Sequence, residues 1–158
     1  MRPIHHVGFH VPNLRAAIDT WTTVHGAGPF TILEHVAFDE CTSNGAAVTW
    51  NHSAAFSRCG PLFVELQQIH DLRPAELAGV LGAGGRSTIN HVGVTSDDAA
   101  AESDRLQSLG FDLIVHSRLG AVDFFWHDAT EALGYSIEVI TAAPEFDAFW
   151  DAVAAGAP

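Results

Sequence analysis

The chain has no lysine at all, and its seven arginines face 19 aspartates and glutamates, for a net charge of −12 with histidine neutral. So acidic a surface repels phosphate backbones and anionic lipid headgroups, which excludes nucleic-acid and membrane-surface partners. Cysteine is scarce too. Cys41 and Cys59 stand alone, with no Cys-x-x-Cys spacing and no disulfide framework, a usage that fits the reducing cytoplasm, where the protein is expected to reside. No apolar run approaches the roughly 18 residues that a membrane helix needs. The opening Met-Arg-Pro-Ile-His-His has no apolar region of a secretory leader, so none is expected. There is no Gly-x-Ser-x-Gly elbow, and the Gly82-Ala83-Gly84-Gly85 cluster lacks the Lys-Ser/Thr ending of a phosphate loop. Charged residues make up only 16% of the chain and hydrophobic ones 47%, too little charge for disorder and enough apolar surface for a core. A length of 158 residues suits one domain, or two small modules fused around one core.

Histidine, by contrast, is abundant: ten residues, a bias toward metal ligation or acid–base work. Two of them belong to a repeat. Residues 4–8 read Ile-His-His-Val-Gly and residues 89–93 read Ile-Asn-His-Val-Gly, an offset of 85 residues. Each copy leads into a helical pattern. In the first, Asn13 is the N-cap, Leu14, Ile18 and Trp21 share a face, and Gly26 is the stop. In the second, Asp97 or Asp98 caps, Leu106 and Leu109 form the apolar face, and Gly110 closes. β-rich sequence follows both: Phe30–Phe38, Ala46–Trp50 after the Asn44-Gly45 turn signal, and Leu62–Ile69 in the first half, then Phe111–Val115, Val122–Trp126 and Tyr135–Ile140 in the second. Both halves therefore read βαβββ. The expected organisation is a first module over 1–70, a linker with a short Pro74–Leu81 helix over 71–87, a second module over 88–141, and a terminal helix over 142–158 carrying Phe146, Phe149 and Trp150. Extra residues in the first half are expected in loops near Glu40–Ser43 and Asn51–Cys59.

Each half ends on a strand with a lone glutamate in an apolar run, Phe-Val-Glu65-Leu and Ser-Ile-Glu138-Val, 59 and 47 residues after His6 and His91. Strand side chains alternate faces. Val7 and Phe9 oppose His6, Gly8 and His10; Val92 and Val94 oppose His91 and Gly93; Val64 and Leu66 oppose Glu65 and Gln67; Ile137 and Val139 oppose Glu138. By the same parity His5 faces the helix side. The apolar faces can sit under the helices, leaving two histidines and two glutamates on a shared concave surface. The expected fold is α+β: tandem βαβββ modules forming a curved mixed sheet, helices outside, with a metal-lined concave cleft. A buried carboxylate needs a partner or a cation. Two imidazoles with two carboxylates suit Zn²⁺, Mn²⁺, Co²⁺, Ni²⁺ or Fe²⁺ rather than Ca²⁺ or Mg²⁺.

The repeated Ile-x-His-Val-Gly openings, Gly26-Ala27-Gly28-Pro29-Phe30, and the Val64-Glu65-Leu66 and Ile137-Glu138-Val139 strands resemble the vicinal-oxygen-chelate superfamily of glyoxalases, bleomycin-resistance proteins and extradiol dioxygenases. The likeness spans about residues 3–141 and is greatest to the branch containing methylmalonyl-CoA epimerase. It implies paired βαβββ modules and a divalent metal held by His6, Glu65, His91 and Glu138. It also implies a small carbonyl-containing substrate whose oxyanion or enolate the metal stabilises, with Glu138 first and Glu65 second as the proton-transferring carboxylate. A homodimer is expected; whether the modules pair within one chain or by swapping stays open. The chain departs from the pattern at three expected substrate-binding positions: His10, His52 and Tyr135.

Three functions compete: an isomerase or epimerase moving a proton alpha to a carbonyl, a lyase or Fe(II) extradiol-type dioxygenase on the same scaffold, and a non-catalytic small-molecule-binding protein. The retained His and Glu set argues against the third. The net charge argues against a coenzyme A thioester unless arginines gather at the cleft. Neither cysteine has the setting of a nucleophile, and His127-Asp128 reads as a strand end.

Overall fold

The computed structural model describes residues 4–82 and 85–156. In chain order the elements are β1 (Ile4–His10), α1 (Leu14–His25), β2 (Thr31–Val36), β3 (Glu40–Ser43), β4 (Ala46–Ala47), β5 (Thr49–Cys59) and β6 (Leu62–Arg73). After β6 come a 3₁₀ turn (Ala75–Leu77), α2 (Ala78–Leu81), β7 (Thr88–Ser96), α3 (Ala99–Ser108), β8 (Leu113–Leu119), β9 (Val122–His127), α4 (Thr130–Leu133), β10 (Ser136–Thr141) and α5 (Pro144–Ala154). The strands make one mixed sheet curled into a half-barrel, in the order β2-β5-β6-β1-β7-β10-β9-β8-β3-β4. The expected α+β architecture is present. Each half contributes four neighbouring strands in the same internal order, and the two opening strands, β1 and β7, meet antiparallel at the centre within one chain.

Local chemistry sets the helices that back this sheet. Asn13 Oδ1 accepts the Ala16 N–H at 3.0 Å to start α1, and Gly26 ends it with φ +65°, a conformation that costs glycine little. Asp98, rather than Asp97, caps α3 by accepting the Ala101 N–H at 2.9 Å. Leu14 and the Ala17, Ile18 and Trp21 side chains pack with Val11, Ala55 and Leu66. Ala99 and Leu106 pack with Val139 and Val94. These are the non-His, non-Glu faces of the strands, so α1 and α3 cover the convex side. Leu109 departs from expectation: it lies past the last turn of α3 and is 60% exposed.

The first half's extra residues do something parity could not reveal. Glu40–Ala47 form the β3–β4 hairpin around Asn44-Gly45, and β3 pairs with β8 of the opposite half, Cys41 facing Ser117. The connection leaving β2 therefore crosses from the first module to the far edge of the second. The other expected loop, Asn51–Cys59, is instead the interior of the long strand β5, paired along β6. The expected Pro74–Leu81 helix is a 3₁₀ turn followed by α2. Of the linker glycine cluster, Ala83 and Gly84 lie outside the described residues, as do residues 157–158 of the terminal segment. No helix among the described residues is long and apolar enough to cross a membrane.

α5 lies on the other side of the sheet from α1 and α3. Phe146, Trp150 and Val153 pack against Ala54, Phe56 and Ile140, residues that alternate onto the face of His52 and Glu138. The terminal helix thus plugs one end of the concave surface, and Leu77 and Leu81 pack with Trp50 and Trp126 on that same face.

Candidate metal centre and its cavity

His6 and His91 are brought together by the antiparallel pairing of β1 with β7, which sets Gly93 opposite His6 and Gly8 opposite His91. The glycines are there for space. A Cβ at Gly93 would fall inside the van der Waals envelope of the His6 ring, and one at Gly8 inside that of His91. Each copy of Ile-x-His-Val-Gly thus supplies one imidazole and the gap that receives the other. Parallel pairing of β1 with β6 and of β7 with β10 carries Glu65 beside Gly8 and Glu138 beside Gly93.

The four side chains converge. His6 Nε2 is 3.0 Å from His91 Nε2, 3.4 Å from Glu65 Oε2 and 3.3 Å from Glu138 Oε2. His91 Nε2 is 3.4 Å from Glu65 Oε2 and 3.6 Å from Glu138 Oε2. Donor atoms bonded at about 2.0–2.2 Å to one ion stand roughly 3–3.6 Å apart along the edges of its coordination polyhedron. The observed spacings fall in that range. His6, His91 and Glu138 form a group able to hold a metal ion, with their ligand atoms all within 4.8 Å of one another. All four residues are buried, and two buried carboxylates are balanced in charge by one dication. The donor set fits a divalent transition metal.

Burial works against charge on His6, but hydrogen bonds and attraction from Glu138 and Glu65 overcome it and push the imidazole up to about 9. Burial likewise opposes ionisation of Glu65, yet His6 and His91 hold its carboxyl well below the usual range. A metal held by this site would take the place of the His6 proton, since an imidazole must be neutral to coordinate.

The other ring nitrogen of each histidine is held by the residue before it. Asn90 Oδ1 accepts the His91 Nδ1–H at 2.9 Å, and His5 Nδ1 lies 3.2 Å from His6 Nδ1. Burial and the neighbouring His6 lower His5 to about 4, so it is neutral and accepts. Parity put His5 on the helix side; a register shift between Ile4 and His6 turns its ring instead onto Phe63, Phe146 and Trp150. The variable position of the repeated motif thus aims each Nε2 inward. Asn90→Ala is expected to weaken metal binding 10- to 100-fold without removing a ligand, measured by competition with a chromophoric chelator. Unchanged affinity would leave the Asn90 contact without consequence.

Three of the four, His6, Glu65 and Glu138, line a cavity of about 260 Å³ together with His52, Gln67 and a largely aromatic wall, while His91 is fully buried and does not reach it. Trp150 stacks on His6, with ring centroids 5.2 Å apart, and Trp126 meets His91 edge-on at 4.5 Å. His52 lines the cavity beside Trp50 and Phe38, and burial keeps it neutral, down at about 4. His10 and Tyr135 are not among the lining residues. His10 is buried near Gly82 instead, while Tyr135 continues the alternation of Ile137 and Val139, which pack on the α3 side. Sequence reasoning missed Trp126, Trp150, Phe38 and Asn90; only Asn90, inside the repeated motif, carried a positional signal.

Other candidates resolve as expected. His127 closes β9, its Nδ1 3.0 Å from the Phe111 carbonyl, and Asp128 accepts from Thr130 rather than from His127. Cys41 and Cys59 are free thiols, and burial pushes Cys41 up to about 11, away from nucleophile chemistry.

Comparison with known proteins agrees with the geometry. The family model described as the glyoxalase/bleomycin resistance protein/dioxygenase superfamily matches residues 5–126. Among solved structures, methylmalonyl-CoA epimerase from Mycobacterium tuberculosis is similar at 20% identity, covering 92% of this chain and 91% of that one, with a TM-score of 0.58. A hypothetical protein from Bacillus halodurans C-125 is 13% identical over 90% of this chain and 95% of that one, at a TM-score of 0.59. A mutant of 4-hydroxymandelate synthase from Streptomyces coelicolor is 14% identical, with 89% of this chain covering 48% of that one, at 0.56. At these identities the likeness is one of fold. No curated protein matches the chain.

Proposed function

The chain belongs to the glyoxalase/bleomycin resistance protein/dioxygenase superfamily, and on that premise we propose that it is a divalent-metal-dependent isomerase or epimerase that moves a proton on a carbon next to a carbonyl. The observation that supports this reading is the set of four donor atoms, His6 and His91 Nε2 with Glu65 and Glu138 Oε2, whose imidazole–imidazole and imidazole–carboxylate spacings run from 3.0 to 3.6 Å, three of the four residues lining the cavity. His6, His91, Glu65 and Glu138 would hold the ion, which when bound supplies Lewis-acid stabilisation of negative charge on a substrate oxygen. Glu138 faces the cavity and takes the α-proton and returns it. Glu65, kept ionised by both histidines, serves as a ligand and as the second carboxylate available for that transfer. The aromatic wall keeps water from competing for the same proton.

A second reading has one observation in its favour. His6, His91 and Glu138 alone make a two-histidine, one-carboxylate group, the pattern of non-haem Fe(II) oxygenases. Under it, Glu65→Ala would leave activity intact.

The test is made in heavy water. Chelator-stripped protein is reloaded with Mn²⁺, Co²⁺, Ni²⁺ or Zn²⁺ and incubated with α-hydroxyketones, and deuterium at the α-carbon is read by NMR. Incorporation that appears only in metal-loaded protein is expected. Incorporation indifferent to metal would remove the proposal, and oxygen uptake with catechol by iron-loaded protein would replace it with the oxygenase reading.

A further inference from the structure

The walls of the cavity suit an apolar ligand better than a coenzyme A thioester. Resting on the proton-transfer reading, we propose that the substrate's organic part is an uncharged aromatic group, seated against Phe38, Trp50, Phe124, Trp126, Phe146 and Trp150. These six side chains come from β5, β9, α5 and the connection that crosses between the halves. They meet one another at ring-centroid distances typical of edge-on packing: Trp50 with Trp126 at 5.0 Å, Phe38 with Phe124 at 6.0 Å. A ring entering the gap continues that arrangement. The volume of about 260 Å³ exceeds the ~150 Å³ that takes benzene and admits a single substituted ring with its oxygens on the metal floor.

Anion recognition is missing from the same walls. The chain has no lysine, and among the described residues no arginine lines the cavity. Arg118, next in sequence to the lining residue Leu119, is already paired with Glu40 at 3.1 Å. Glu145 stands exposed on the cavity's α5 side. A pyrophosphate-bearing ligand would meet acid there and find no cation waiting.

Three probes decide the matter by calorimetry on metal-loaded protein: 2-hydroxyacetophenone, hydroxyacetone and propionyl-CoA. The aryl ketone is expected to bind at least 10-fold more tightly than hydroxyacetone, and propionyl-CoA no more tightly than hydroxyacetone. Phe38→Ala, on the half-buried connection, is expected to cost the aryl ketone about 10-fold and to leave hydroxyacetone unchanged, a split that general loss of folding cannot produce. Equal binding of the two ketones, or tightest binding of propionyl-CoA, would overturn the assignment. Failure of the two readings is separable. Aryl binding with no deuterium exchange sinks the proton-transfer reading alone, and exchange without aryl preference sinks the substrate class alone.

Discussion

Gly93→Ala is expected to reduce bound metal to less than a tenth of the wild-type content while the chain still folds. Gly93 sits opposite His6 in the β1–β7 pairing, and the added methyl would occupy the space of the imidazole ring. Backbone conformation is not at issue, since this glycine does not adopt positive φ. What must give way is the His6 side chain, and with it one of the four donors. Overpacking of this kind costs about 1–3 kcal/mol, so a lowered but cooperative denaturant transition should accompany the lost metal. Gly8→Ala should do the same by displacing His91. Gly79→Ala is the control: nothing lies within 4 Å of its added methyl, so metal content should stay at the wild-type level. Elemental analysis of the three variants, with unfolding curves, makes the comparison. Full metal content in Gly93→Ala would mean that the imidazoles do not interlock with the glycines as described.

Glu138→Gln should leave the metal bound at saturating concentration and slow α-proton exchange by 10²- to 10⁴-fold, the usual contribution of a positioned general base. The substitution keeps the side chain's size and one oxygen donor, so His6 and His91 retain their neighbour. It removes the proton acceptor. His91→Ala, in contrast, should lose metal and exchange together, because an imidazole in contact with both carboxylates is deleted. The ratio of exchange rates at matched metal occupancy separates ligand from base. A larger loss in Glu65→Gln than in Glu138→Gln would reverse the roles of the two carboxylates, and exchange at the wild-type rate in both would take the base outside this site.

The duplication was legible because the Ile-x-His-Val-Gly opening recurs in the chain, and the period-two alternation of a strand carries each inward residue to the same face. His6, Glu65, His91 and Glu138 could be grouped on that logic alone. The role of Gly8 and Gly93 could not, because a missing side chain shows its purpose only against the ring that fills the gap. Parity failed at His5, where a single extra residue in β1 reverses which face a side chain takes. Parity also set His10 on the inner face with His6, yet His10 is buried by Gly82 and does not line the cavity. Tyr135, a pocket position by the resemblance alone, precedes its strand on the face opposite Glu138, where parity had it.

Composition and repetition determined the two-module architecture, the acidic surface and the chemistry of the four inward groups. These are local properties, fixed by side-chain type and by alternation. Tertiary structure alone decided the rest. The β3–β4 hairpin crosses to the far module, and α5 folds back onto the concave face rather than outside it. Trp150 comes to rest on His6 from the helix that follows the last strand of the second half. Those contacts join segments many residues apart, and buried apolar area is non-directional. An amphipathic helix therefore states that it must be covered, and only the packed sheet states where.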